Sequence, residues 1–164
     1  MKTLWAPWRM EYIAGTAGRD RGCIFCAAPD QPHAKTHLLL HRDQAATVFM
    51  NRFPYANGHL LVAPARHAAD LTDLTPEEQA ACLRLVTASV TILRRHLNPD
   101  GCNIGLNLGP VAGAGIAAHL HWHIVPRWEG DHNFMTVLAE VRTIPEHIDA
   151  TFDRLLPDFQ ALCA

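Results

Sequence analysis

Ala118-His119-Leu120-His121-Trp122-His123-Ile124-Val125-Pro126-Arg127-Trp128 is the stretch from which the rest of this chain can be organised. Polar and apolar residues alternate strictly from His119 to Ile124, the period of a β-strand. In a strand, His119, His121 and His123 share one face, and Leu120, Trp122 and Ile124 occupy the other. Neighbouring histidines then lie roughly 6.6 Å apart at Cα and the outer pair roughly 13 Å. Two neighbours can chelate one ion, whose bonds to imidazole nitrogen are near 2.0 Å, but the outer two are too far apart to share one. Divided roles for the three therefore fit better than three ligands on one metal. The plain competing account is a strand with one solvated face, and three histidines on a single face count against it.

Working outward, the run Asn107-Leu108-Gly109-Pro110-Val111-Ala112-Gly113-Ala114-Gly115 precedes the histidines. Its glycines can bring backbone N–H groups close to an anion, or it can simply join two strands. A strand is expected over Cys102 to Leu108, after the Asn98-Pro99-Asp100-Gly101 stop. Before it, Thr75 and Glu78 form a capping box with Pro76 at the first helical position. Cys82, Leu85, Val86, Ser89, Val90, Leu93 and Leu97 recur at helical spacing behind that cap. Strand-like runs cover His37–His41, Ala46–Asn51 and His59–Ala63, the last following an Asn57-Gly58 turn. In the tail, Thr143 and Glu146 suggest a second capping box, with Ile148, Phe152 and Leu155 on one side of a helix. The sum is an α+β fold, a mostly antiparallel sheet of about five strands with one long helix and a C-terminal helix. A single domain over residues 1–164 is expected, with an irregular arm over 1–36 and an extension over 132–164.

Bulk properties narrow the function. A net charge of −2 argues against a surface for nucleic acid, while a small anionic ligand needs only a few local donors. No run of about 18 uncharged apolar residues predicts a membrane span, and residues 1–9 lack a signal-peptide core. A cytoplasmic location is expected. Of five cysteines, Cys82, Cys102 and Cys163 lie alone in apolar surroundings and read as core residues, whereas Cys23 and Cys26 form a Cys-x-x-Cys pair. Such a pair is half a metal site, a redox dithiol or two unligated core residues.

His119-Leu-His121-Trp-His123-Ile-Val resembles the signature of the histidine triad (HIT) superfamily. Cys23-Ile-Phe-Cys26 is similar to the cysteine pair of its zinc-containing members. Phe49-Met-Asn51-Arg-Phe53-Pro with Gly58-His59-Leu-Leu-Val-Ala-Pro64 resembles its nucleotide-side strand pair, and Asn107 ahead of the glycine loop is in register within one residue. The resemblance spans roughly residues 20 to 128. Trp5-Ala-Pro-Trp8-Arg-Met-Glu-Tyr-Ile13, Gly113-Ala-Gly115 and Pro126-Arg-Trp128 look most like the bacterial diadenosine tetraphosphate phosphorylases within it.

The resemblance implies that His121 is a nucleophile forming a nucleotidyl-histidine intermediate, that His123 donates to a phosphate oxygen and assists the leaving group, and that His119 supports the site or binds metal. It implies that Asn51 meets a ribose hydroxyl, that Asn107 and the Gly113, Ala114 and Gly115 backbone hold the α-phosphate, and that His59 supports the histidine strand. Phe49 and Phe53 flank the base or belong to the core. Cys23, Cys26, His67 and His119 would close a structural zinc site of Cys₂His₂ type; no organic cofactor is expected. The implied reaction cleaves diadenosine tetraphosphate with inorganic phosphate, giving ADP and ATP, in a homodimer. Many members carry Gln or Ser in the loop before the histidines. Ala114, Gly115 and Ile116 stand there in this chain, which weakens the phosphoramidase reading. A hydrolase or phosphoramidase using water as acceptor is the near alternative, and a nucleotide-binding protein without turnover the distant one.

Overall fold

The structure, a computed structural model, describes residues 22–27, 35–131 and 144–163. It is α+β. The strands are β1 (Leu39–Arg42), β2 (Ala46–Met50), β3 (Leu60–Pro64), β4 (Gly101–Leu106) and β5 (Trp122–Arg127). Helix α1 runs over Pro76–Leu97 and α2 over Ile148–Gln160. The strands form one sheet in the order β1-β2-β3-β5-β4, with every neighbouring pair antiparallel.

Local chemistry explains where the elements begin. Asp43 Oδ1 accepts the Ala45 and Ala46 N–H groups at 2.7 and 2.8 Å, closing the β1–β2 turn. The Thr75 capping box is present, with Glu78 N–H donating to Thr75 Oγ1 and Thr75 N–H to Glu78 Oε2. Helix α1 ends at Asn98, which takes a left-handed conformation at φ 45°. Gly58 turns the chain into β3 at φ +73°, and an added Cβ there would lie 2.4 Å from Leu97 Cδ1.

The two faces of the sheet are packed differently. On one, Val48, Met50, Leu60, Val62, Leu120, Trp122 and Ile124 meet Leu85, Val86, Ile92 and Leu93 of α1, and Phe152, Leu155 and Phe159 of α2. Each such side chain contributes about 1.5–3 kcal/mol by leaving water, so this layer sets the fold. The other face carries a smaller cluster of Phe25, Leu39, Phe49, Leu61 and Ala63. Register puts the histidines on this second face, because Phe49 pairs with Leu61, Leu61 with His123, and His123 with Gly105.

Several boundaries differ from expectation. Residues 115–118 form a turn and β5 begins only at Trp122, so His119 and His121 precede the ladder. Leu120 N–H bonds the Ala68 carbonyl at 2.7 Å instead of a strand neighbour. The alternation of faces survives in the packing, with His119 and His121 against Phe25 and Leu120 in the larger core. Helix α2 starts at Ile148, capped by His147, whose Nδ1 accepts the Asp149 N–H; Thr143 lies outside the described residues. Glu146 instead accepts from Thr151 and Arg154 within the first turns of α2. Cys82 is buried and Cys102 half-buried. Trp5, Trp8, Ile13 and the side chain of Cys163 lie outside the described residues. Among the described residues, no helix is long and apolar enough to cross a membrane.

Candidate active site and metal centre

Four imidazoles line up along the histidine face, and their hydrogen bonds define their tautomers. His121 Nδ1 lies 2.9 Å from the His119 carbonyl oxygen. A carbonyl only accepts, so this nitrogen carries the proton and Nε2 keeps its lone pair. A second series starts at Tyr55, whose backbone N–H donates to His59 Nδ1 at 3.1 Å. With that nitrogen accepting, neutral His59 bears its proton on Nε2, 3.0 Å from His123 Nδ1. His123 Nδ1 then accepts, and its own proton sits on Nε2. Two adjacent histidines on one face thus present opposite groups. His121 offers a lone pair and His123 an N–H.

The neutral forms are strongly favoured. Burial brings His59 down to about 3, with positive charge on His123 or His121 opposing its protonation further. Burial, followed by the neighbouring His121, brings His123 to about 4. Burial also lowers His121, although the His119 carbonyl, by binding its N–H, pulls the other way. All three lie below the ordinary histidine range, so near neutral pH the face holds uncharged imidazoles, as a nucleophile and a neutral donor require.

At the other end, Cys23 Sγ lies 3.2 Å from His119 Nδ1, and Cys26 Sγ lies 3.5 Å from the same nitrogen and 3.2 Å from His67 Nδ1. All four donor atoms fall within 4.8 Å of one another. His119 Nε2 donates to the Pro64 carbonyl at 3.0 Å, which fixes the tautomer that leaves Nδ1 facing the sulfurs. Two thiols and two imidazole lone pairs around one point are the donor set of a closed tetrahedral zinc site. Burial and the adjacent Cys23 raise the Cys26 thiol, so a cation is what would make thiolates stable there.

The expected site residues separate into distinct groups. Cys23, Cys26, His67 and His119 converge, as do His59, His121 and His123. Asn51 supports the relay directly, with its Nδ2 3.3 Å from His59 Nδ1 and its Oδ1 accepting the Phe53 N–H. Phe49 is in the smaller core, edge-on to Phe25 at 5.4 Å, whereas Phe53 is 42% exposed. In the glycine loop, Gly113 and Ala114 N–H groups bond the Pro110 and Gly109 carbonyls, so both are already engaged, and Asn107 Nδ2 reaches the Gly113 carbonyl at 3.5 Å. The loop does join two paired strands, β4 and β5.

Sequence reasoning overlooked two aromatic residues. Phe25, only 2% exposed, packs on both His119 and His121 with centroids 5.0 and 5.1 Å away. Its place between Cys23 and Cys26 was the available signal, because anything that pins both cysteines pins Phe25. Tyr55 stacks on His123 at 5.9 Å and packs on His59 at 4.7 Å. Only its position four residues before His59 pointed to it.

Comparison with known proteins places this geometry among relatives. The HIT domain family model matches residues 31–130. A Mycobacterium tuberculosis protein named AP-4-A phosphorylase is 37% identical over 153 residues, covering 89% of this chain and 78% of that one. Among solved structures, a zinc-bound histidine triad family protein from Mycobacterium smegmatis superposes with a TM-score of 0.66 at 29% identity, over 87% of this chain and 96% of that one. A HIT family member from Bacillus subtilis gives 0.58 at 28%, over 87% and 92%.

Proposed function

The chain belongs to the HIT domain family, and from that premise we propose that it is a nucleotidyl transferase cleaving diadenosine tetraphosphate with inorganic phosphate as acceptor. The observation that carries the reading is the pair of opposite tautomers, His121 with a bare Nε2 and His123 with a proton on Nε2.

The steps follow from those atoms. His121 Nε2 attacks the α-phosphorus, forming a P–N bond while the P–O bond to the bridging oxygen breaks. That oxygen takes the electron pair and leaves as part of ATP, and His123 Nε2–H donates to it. His121 becomes cationic on bonding phosphorus, and the His119 carbonyl, already holding its N–H, stabilises that charge. A phosphate oxygen then attacks the same phosphorus from the side the ATP vacated, the P–N bond breaks, and ADP departs with His121 restored. Asn51 and Tyr55 act earlier in the series by setting the His59 tautomer. Asn107 and Gly115 remain the loop groups assigned to the α-phosphate, since the Gly113 and Ala114 N–H groups bond within the loop.

The proposal includes zinc at Cys23, Cys26, His67 and His119, supported by the donor set and by the zinc-bound relative. There the ion would supply a cross-link between the Cys23–Cys26 turn, the end of β3 and His119, with no part in phosphoryl chemistry. It also includes a homodimer, for which the exposed edge strand β4, with Ile104 49% exposed, is the natural seam, and a cytoplasmic setting, where free thiols persist.

The decisive experiment incubates the protein with diadenosine tetraphosphate, with and without phosphate, and separates the nucleotides. ADP plus ATP only with phosphate is expected, and His121→Ala should lower the rate by about a thousandfold or more. AMP plus ATP without phosphate would instead make water the acceptor.

A further inference from the structure

The C-terminal helix touches the turn that governs the His59–His123 relay. Helix α2 lies beyond the residues 31–130 that the HIT domain model matches, yet its Thr151 meets the connection between β2 and β3. Thr151 is fully buried, and its one hydroxyl proton is shared between Asn57 Oδ1 at 3.1 Å and Glu146 Oε2 at 2.7 Å. Arg154, one turn further along α2, holds the other oxygen of the Glu146 carboxylate. Asn57 sits two residues after Tyr55 and two before His59, the pair whose contact fixes the relay's protons. Resting on the nucleotidyl-transfer reading above, we propose that Thr151 is a positioning residue. From α2 it holds the Asn57 turn so that the Tyr55 N–H stays on His59 Nδ1 and His123 keeps its donor.

The turn needs such a hold. Arg52, Phe53 and Tyr55 are exposed, so little packing fixes this stretch from outside. Its own backbone bonds are few, with the His59 N–H on the Ala56 carbonyl at 3.2 Å and the Asn51 N–H on the His59 carbonyl at 2.9 Å. On the inner side Gly58 lies close to Leu93 and Leu97 of α1, and Thr151 adds a polar contact from the second helix. Losing the Tyr55 N–H has a specific consequence. With the His59 proton on Nδ1 instead, its Nε2 accepts, His123 Nδ1 donates, and His123 Nε2 is left bare. The proton aimed at the leaving oxygen is then gone, while His121 keeps its lone pair. Asn51 Nδ2, 3.3 Å from the same His59 nitrogen, retains part of the bias, so Thr151 acts on the balance between tautomers.

Helix α2 stays docked without this hydroxyl. Phe152, Leu155 and Phe159 belong to the larger core, Lys35 pairs with Asp153, and Arg95 and His96 pair with Asp158. Thr151→Val therefore keeps the shape and removes the hydroxyl, and Thr151→Ser keeps the hydroxyl. In the valine variant, kcat with diadenosine tetraphosphate and phosphate is expected to fall about fivefold, with KM within about twofold of wild type and most of the loss absent in the serine variant. Imidazole nitrogen–proton correlation spectra near neutral pH supply a readout that stability alone does not move. His59 and His123 should change from Nε2–H forms to mixed tautomers in Thr151→Val, while His121 stays Nδ1–H. Asn57→Ala breaks the same contact from the other side and carries the test if the valine variant does not fold. Wild-type tautomers in a folded variant, or a rise in KM with kcat unchanged, would overturn the role of Thr151. Absence of a nucleotidyl adduct on wild-type His121, read by mass spectrometry, would overturn the transfer reading and the catalytic sense of this inference with it. The spectra need no turnover, so they tell that outcome apart from failure of the Thr151 contact.

Discussion

His119 and His123 are the same side chain, four residues apart on one face, yet they end in different chemical settings. His119 is fully buried, with sulfur on one ring nitrogen and the Pro64 carbonyl on the other. His123 receives a proton-bearing imidazole from His59 and opens onto a groove. One end is arranged to grip, the other to donate, and His121 between them takes its tautomer from the His119 carbonyl. Identical residues acquire separate roles from the neighbours that β3, the Cys23–Cys26 turn and the Tyr55 turn bring to them.

The sharpest way to break this contrast is at the gripping end. Cys26→Ser, or prolonged chelation, is expected to remove one zinc per chain, read by elemental analysis. The thermal midpoint should fall by on the order of 10 °C, because a structural metal contributes folding energy directly. An unchanged midpoint in a protein that contained no zinc to begin with would reduce this end to two free thiols.

At the donating end, His59→Ala takes away the group that sets the His123 tautomer. A fall in kcat of about tenfold to a hundredfold is expected, with little change in zinc content. Zinc loss in this variant would mean that the two ends are not separable. Gln in place of His59 can still donate an N–H to His123 and should recover part of the loss.

Acid separates the ends by linkage. His59 and His123 titrate near 3 and 4 when folded but near 6.5 when unfolded. Between about pH 6 and 4 the unfolded chain therefore binds protons that the native state does not. Stability should fall with pH across this window, by up to about 1.4 kcal/mol per pH unit for each of the two histidines. Denaturant midpoints at pH 7, 6 and 5 measure it, and His59→Ala should flatten the slope.

The smallest expected effect lies at Gly58, which aims His59 into the relay. Gly58→Ala places a methyl against Leu97 and Leu93 at a positive φ. A loss of about 1–2 kcal/mol is expected, visible as a few degrees in thermal midpoint.

The elements of the fold were legible because their signals are local. The Thr75–Glu78 cap and the apolar spacing behind it mark helix α1 within a few residues of chain, and the alternation from His119 to Ile124 sorts those side chains onto two faces. Helix α2 was less accurately placed, since the His147 cap competes with a Thr143–Glu146 pattern and the true start depends on Phe152, Leu155 and Phe159 finding the sheet. The three histidines and the Cys23–Cys26 pair could likewise be named from residue types and spacing, whereas the family and the ligands His67 and His119 came from the resemblance to histidine triad proteins.

Proton positions could not. Which nitrogen of His121 keeps a lone pair depends on a carbonyl oxygen 2.9 Å away, and that of His123 on the Tyr55 amide acting through His59, 64 residues distant in sequence from its partner. Phe49 sits in the core because Phe25 reaches across to cover it, and the loop N–H groups are engaged because the glycine turn closes on itself. Sequence by itself determined which chemical groups the protein has and which face of the sheet carries them, since periodicity is a property of neighbouring backbone units. Only the tertiary structure decided tautomer, burial and access, because hydrogen bonds and desolvation act over a few ångströms between segments far apart in the chain.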